Sequence, residues 1–213
     1  MDTFTLAIVP CRAGSKRITS KNMYPLNGIP LFEYTIKAAL DSNLDDVVIS
    51  SDSFNYVHKL CKFIVRPREL ARDDTPMIPV VQDVLETYEI SFGKKVDAVC
   101  LLQPTSPLRT AEDINKALVA FRDSNVNSLV SGYYMGLKTS VPYDKHAPKH
   151  FQRNGAIFLT KRELIDKGML WDEYVYKYEM PFSRSIDIDE PDDMRLAEAL
   201  IRGGILNPKE VKA

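Results

Sequence analysis

Short, uninterrupted apolar runs alternate along this chain with segments that repeat at helical spacing, and that alternation decides the fold class. Residues 4–9, closed by Pro10, suit a buried strand. Over 31–40, Phe32, Ile36, Ala39 and Leu40 fall at helical spacing, and 46–50 (DVVIS) returns to a continuous apolar run, as in a strand covered on both faces. Residues 54–61 read as helical and 63–65 as a third strand. Within 79–92, Val81, Val84, Leu85 and Tyr88 stand at i, i+3, i+4 and i+7 of an amphipathic helix, and 96–102 is the most apolar strand candidate. Thr110 and Asp113 form a capping pattern for a helix that buries Ile114, Ala117, Leu118 and Phe121. Strands are expected at 129–133, 156–160 and 174–178, then a last helix from Pro191 to the Gly203-Gly204 pair. Strand followed by helix, repeated with both faces buried, means an α/β fold on a mainly parallel sheet, in which ligands bind beyond the carboxyl ends of the strands.

Composition narrows the partners. The 213 residues fit one domain spanning 1–213, and 45% hydrophobic with 27% charged residues argues against disorder. Lysine and arginine total 28 against 29 acidic residues, a formal charge of −1. That balance lacks the broad basic footprint of a nucleic-acid or membrane-surface binder, so any phosphate site must be local. Cys11, Cys61 and Cys100, an odd count without a C-x-x-C pair, read as reduced thiols. The start has no basic n-region, and no run reaches the ~20 apolar residues of a membrane span, so a cytoplasmic protein is expected. The least regular stretch, 132–153, with Gly136, His146 and His150, reads as a short arm or flap.

Three loops carry the chemistry. VPCRAGSKRITSKN (9–22) places Arg12, Lys16, Arg17 and Lys21 directly after the first strand, with Gly14 where backbone can approach a ligand. Such a loop can hold a triphosphate and offset charge that develops on it. It is neither a Walker A loop nor a G-x-G-x-x-G turn. In LLQPTSPLR (101–109) two prolines stiffen a strand end that displays Gln103, Thr105 and Ser106, groups suited to a polyhydroxylated ligand or to an ordinary connection. In SIDIDEPDD (185–193), Asp187 and Asp189 project to one side if the segment is extended. Two carboxylates so placed call for a cation, and magnesium suits a few carboxylates plus substrate phosphates. Asp192 and Asp193 read as acids at a helix N-terminus. Asp52 ends a parallel strand as a ligand group or a cap, and Arg66 is placed to reach a phosphate or base.

Together these loops resemble the acylneuraminate cytidylyltransferase family, the CMP-sialic acid synthetases and their nonulosonate relatives. The first loop is similar to the family's nucleotide-binding signature. RPRELARDDTP, LLQPTSPLR, NGAIFLT and SIDIDEPDD follow in family order over nearly the whole chain. The resemblance implies a single-domain Rossmann-like nucleotidyltransferase fold, and transfer of CMP from CTP to a hydroxyl of a sialic, legionaminic or pseudaminic type of acid. Pyrophosphate is released, magnesium is required, and the enzyme is a homodimer. It further implies that Arg12, Ala13, Gly14, Ser15, Lys21 and Asn22 hold the nucleotide with help from Arg66. Gln103, Thr105 and Asn154 would face the sugar, and Asp187 and Asp189 would bind the metal, with Arg12 and Lys21 serving catalysis. Cys11 replaces a usual alanine, and Met77 a usual small hydroxylic residue. The 132–153 stretch is shorter than in sialic acid synthetases, where it supplies an arginine for the sugar carboxylate. Arg153, Lys145 and Lys149 are the candidates to replace it, or the acceptor is another compound such as a sugar phosphate or a phosphonate. Another nucleotide, or a catalytically silent nucleotide-binding subunit, is the remaining alternative.

Overall fold

Strand β1 (Thr5–Pro10) is buried at every position because its two faces feed two different cores. The computed structural model describes residues 3–15, 17–136 and 149–206. Ala7 and Val9 pack with helices α1 (Leu31–Leu40) and α3 (Ala111–Asp123), through Phe32, Ile36, Ile114, Leu118 and Phe121. Leu6 and Ile8 pack on the opposite face against α2 (Met77–Phe92), through Val81, Val84, Leu85 and Tyr88, and against Ile165 of α4 (Arg162–Asp166). Helices thus cover both faces, which is why the strands read as continuous apolar runs rather than alternating ones.

The remaining strands are a two-residue pair, β2 (Pro25–Leu26) and β3 (Ile29–Pro30), followed by β4 (Asp46–Ser51), β5 (Lys62–Val65), β6 (Ala98–Leu101), β7 (Ser128–Gly136), β8 (Lys149–Lys161) and β9 (Tyr176–Glu179). The main sheet runs β5-β4-β1-β6-β8-β7-β9. β8 alone opposes its neighbours, pairing antiparallel with β6 and β7, whereas the other contacts are parallel. The chain leaves β1 toward β4 and β5, then returns to place β6 on the other side of β1. That reversal opens a crevice between the loops after β1 and β6, the usual ligand position in such sheets. Because β8 runs backward, with Phe158 opposite Leu101, its residues 154–156 also reach this end of the sheet.

A third apolar cluster joins α5 (Pro191–Arg202) to the β2–β3 hairpin, through Met194, Ala197 and Ile201 against Leu26, Ile29, Ile186 and Ile188. It anchors the acidic segment beside the first loop. The expected strands and long helices all form, with ends displaced by a few residues. The helix expected over 54–61 does not: only Phe54–Tyr56 makes a single 3-10 turn. Phe54, Val57 and Leu60 are largely exposed there, so a longer helix would have no apolar face to bury. The arm at 132–153 enters as the paired ends of β7 and β8, and 137–148, with Lys145 and His146, lies outside the described residues. So do Lys16 and the tail from 207 onward. Among the described residues no helix is long and apolar enough to cross a membrane.

The cap on α3 doubles as an electrostatic anchor. Thr110 and Asp113 form the reciprocal capping box, and the buried Asp113 also takes two bonds from Arg184, at 2.9 and 2.7 Å. Burial alone would raise the Asp113 pKa, but the Arg184 and Thr110 bonds overcome it and hold the carboxyl below its ordinary value. A depressed folded-state pKa stabilises the fold above the unfolded value of about 3.9 and is lost as the pH falls through the folded value. The Tm of Asp113→Asn should therefore lie well below wild type at pH 7, and the gap should shrink at pH 3; a gap independent of pH would contradict this assignment.

Candidate active site

The loop after β1 is built from backbone bonds to its neighbours. Cys11 N–H donates to the Ser50 carbonyl at 2.9 Å, extending the β1–β4 ladder by one residue. Ala13 N–H donates to Asp52 Oδ1 at 2.8 Å, so Asp52 at the end of β4 braces the loop. The Arg12 carbonyl accepts from Asn22 Nδ2 at 3.2 Å and from the Tyr56 hydroxyl at 3.4 Å. Asn22, expected to hold nucleotide, is buried and holds the loop backbone. The Arg12 side chain is ion-paired with Asp73, from the segment that follows β5. Gly14 and Ser15 form the lip, and among the described residues beyond its chain neighbours no atom lies within 4 Å of where a Gly14 Cβ would stand.

Arg66 lies beneath this loop and is almost fully buried. Its Nε donates to Ser50 Oγ at 3.1 Å and its Nη2 to the Ser50 carbonyl at 2.8 Å. Burial lowers its pKa, and Asp52 and Asp83 partly restore it while Arg12 lowers it further. The guanidinium thus stands among the charges of the loop.

The acidic segment meets the basic loop directly. Lys21 Nζ donates to the Ile188 carbonyl at 2.7 Å and to Asp189 Oδ1 at 3.1 Å. Arg17 lies 3.3 Å from Asp189 and 3.4 Å from Glu190. Asp193 caps α5 and accepts from the backbone N–H of Asp189 at 2.9 Å, which fixes the corner where the acidic segment enters the helix. The Ile188 N–H donates to the Thr105 carbonyl at 2.7 Å, bringing Asp187 beside the second loop. Asp187 is open to solvent on one side, yet neighbouring atoms thin the hydration of its carboxylate and raise its pKa. A bond with the Thr105 side chain opposes that rise, and Asp189 adds to it.

The second loop is locked to β8. Ser106 Oγ donates to the Asn154 carbonyl at 3.1 Å, and Arg109 Nη1 donates to the Ala156 carbonyl at 2.6 Å and that of Gln103 at 3.4 Å. Asn154 departs from the expected contact with sugar. Its amide is buried, accepting from Ser131 Oγ at 2.7 Å and Ala156 N–H at 3.1 Å and donating to Ser185 Oγ at 2.9 Å. It ties β7, β8 and the acidic segment together. Gly155, half-buried beside it, presents bare backbone instead. With φ +71°, a Cβ here would lie 2.7 Å from Gln103 Oε1 and 3.4 Å from Asp187 Oδ2. Gln103 and Asp187 therefore converge over a bare stretch of backbone.

Arg153, one candidate for an acceptor carboxylate, is committed elsewhere: its guanidinium lies 4.4 Å from the Trp171 ring centre, in cation–π contact. The structure brings Arg12, Lys21, Arg66, Gln103, Thr105, Asp187 and Asp189 to one end of the sheet. Tyr56 carries no sequence signal that separates it from ordinary loop residues, whereas Asp73 and Gly155 lie within RPRELARDDTP and NGAIFLT without being marked there individually. Asp52 is marked, as a carboxylate ending a parallel strand.

Comparison with known proteins agrees with this geometry. A family model described as cytidylyltransferase matches residues 6–210. CMP-N,N'-diacetyllegionaminic acid synthase of Legionella pneumophila is 33% identical, over 92% of this chain and 95% of its own. N-acylneuraminate cytidylyltransferase of Escherichia coli is 29% identical over 92% of this chain, which spans about half of that protein (52%). The solved structure of CMP:2-keto-3-deoxy-manno-octonic acid synthetase complexed with CTP superposes with a TM-score of 0.68. It covers 93% of this chain and 98% of that one at 15% identity, a likeness of fold.

Proposed function

We propose, since this chain belongs to the cytidylyltransferase family, that it transfers CMP from CTP to a hydroxyl of a nonulosonic acid and releases pyrophosphate. The observation that carries the reading is the meeting of a basic loop and an acidic corner around an open crevice. Arg17 and Lys21 of the basic loop, which also carries Arg12, pair with Asp189, and Asp187 stands beside Gln103 at Gly155. Arg12, Lys21 and the open amides of Gly14 and Ser15 receive the triphosphate, and Arg66 supports the nucleotide from below. The acceptor lies over Gly155 with its hydroxyl aimed at the α-phosphorus, and catalysis comes from alignment and charge neutralisation. The acceptor class is supported by the near full-length match to the Legionella synthase.

Magnesium fits the acidic corner. Burial and then Asp189 raise the pKa of Asp187, against the Thr105 side chain and Lys21, and a divalent cation would relieve that cost of its charge. Among the described residues no group of three or more His, Cys, Asp or Glu could hold a metal. Two carboxylates completed by phosphate oxygens and water match magnesium's habit. Bound there, the ion would neutralise charge on the phosphates during displacement. The protein is proposed to act as a homodimer, supported by Tyr134, Met135, Tyr174, Tyr176 and Phe182, exposed around the β7–β9 edge. Sedimentation as a monomer at micromolar concentration would contradict this.

The function is tested by following pyrophosphate release with each ribonucleoside triphosphate against N,N'-diacetyllegionaminic, N-acetylneuraminic and pseudaminic acids, a sugar phosphate and a phosphonate. Release is expected with CTP and a nonulosonic acid, and should stop with EDTA. Release only with a sugar phosphate or phosphonate would overturn the acceptor class.

A further inference from the structure

Of the basic residues described in the first loop, Arg17 alone has no part in the family resemblance or in the phosphate binding proposed above. Its guanidinium nonetheless forks over the acidic corner. Nη1 lies 3.3 Å from Asp189 Oδ2, and Nε lies 3.4 Å from Glu190 Oε1. Lys21 Nζ lies 3.1 Å from the other oxygen of Asp189, Oδ1, and is anchored by the Ile188 carbonyl at 2.7 Å. Each oxygen of the Asp189 carboxylate therefore faces a cation of the basic loop. A metal ion that arrives alone must evict those cations or bind beside them against their charge. Arg17 and Asp189 are each more than half exposed, so water screens that pair, and its hold on the carboxylate is worth a few-fold in affinity.

A triphosphate changes the balance. It draws the same two cations with more charge than one carboxylate carries, and the metal it brings needs the carboxylate that they release. We propose that Arg17 is an exchanged counter-ion of the reaction: with Lys21 it neutralises Asp189 in the free protein, and both turn to the phosphates of CTP as magnesium takes the carboxylate. With Nε kept by Glu190, at the cap of α5, only Nη1 of Arg17 has to change partner. Arginine suits the exchange because it stays charged throughout and its fork fits carboxylate and phosphate alike. Metal and nucleotide then favour each other beyond their mutual chelation, since each frees the protein group that the other needs. The inference rests on magnesium CTP binding between the basic loop and the acidic corner, as proposed above.

Manganese, followed by electron paramagnetic resonance, is the probe, titrated into wild type, Arg17→Ala and Asp187→Asn without nucleotide; CTP is then titrated at saturating manganese. Without nucleotide, Arg17→Ala should bind manganese about threefold more tightly than wild type. With manganese saturating, the same variant should bind CTP about threefold more weakly. Opposite shifts in one variant are the signature, because a loop that had merely lost its order would weaken both. Manganese binding unchanged or weakened in a folded Arg17→Ala overturns the proposal, and so does unchanged binding of CTP. Asp187→Asn tests the premise separately and should weaken manganese. If it binds the ion as wild type does, the metal lies away from the acidic corner, and the reading of the corner falls together with the exchange.

Discussion

Asp187→Asn should lower kcat by about two to three orders of magnitude while leaving the fold as stable as wild type or slightly more so. The two halves of this prediction have one cause. The Asp187 carboxylate is short of hydration and lies near Asp189, so its pKa is raised. A carboxylate with a raised folded-state pKa favours the fold when protonated, and that contribution is lost as the pH rises through the folded value. At neutral pH the charge is carried at a cost, and an isosteric neutral amide removes the cost. Under the proposed function the charge is retained, beside Gly155 and the Thr105 side chain, to hold magnesium against the triphosphate. Kinetics with CTP and an accepted nonulosonic acid, together with thermal unfolding without ligand, measure both halves. Unchanged turnover would remove Asp187 from the metal site, and a large loss of Tm would recast it as a structural residue.

Arg12→Ala should lower kcat/KM for CTP by about a hundredfold, and Arg12→Lys by less. The Arg12 backbone is fixed by Asn22 and Tyr56, so truncation of the side chain leaves the loop in place. In the free protein the guanidinium pairs with Asp73, half-open to solvent, where an ion pair is worth about 0–1 kcal/mol. A triphosphate carries more charge than one carboxylate and, bound as proposed, would displace it at little cost. A kcat/KM equal to wild type would place the triphosphate elsewhere.

The alternation of apolar runs and helical repeats made the fold legible, because a sheet covered on both faces writes itself as continuous hydrophobic strands. Residues 4–9 and 46–50 are read in this way without ambiguity, and Thr110 with Asp113 marks a helix start by local chemistry alone. The 54–61 segment misleads because its apolar residues have helical spacing but no core beneath them. At the site, charge and position after a strand mark Arg12, Lys21, Asp187 and Asp189. Sequence spacing does not show which way a side chain turns. Asn154 looks like a ligand residue in a turn, but it lies in a bulge of β8 between Arg153 and Phe158, opposite Val130 to Gly132 of β7, where its amide turns inward to Ser131 and Ser185. Gly155, beside it, looks like turn punctuation and proves to be the bare floor under Gln103 and Asp187.

The central claim is that the basic loop and the acidic corner hold magnesium CTP so that an acceptor hydroxyl attacks its α-phosphorus. Parallel reactions with CTP labelled at the α- or the γ-phosphate, each with N,N'-diacetyllegionaminic acid and magnesium, test it most directly. The account predicts that α-label passes into a CMP-sugar while γ-label leaves as pyrophosphate, and that Asp187→Asn abolishes both transfers together. Gamma-label appearing on the sugar, or α-label remaining wholly in CTP under every acceptor, would contradict it.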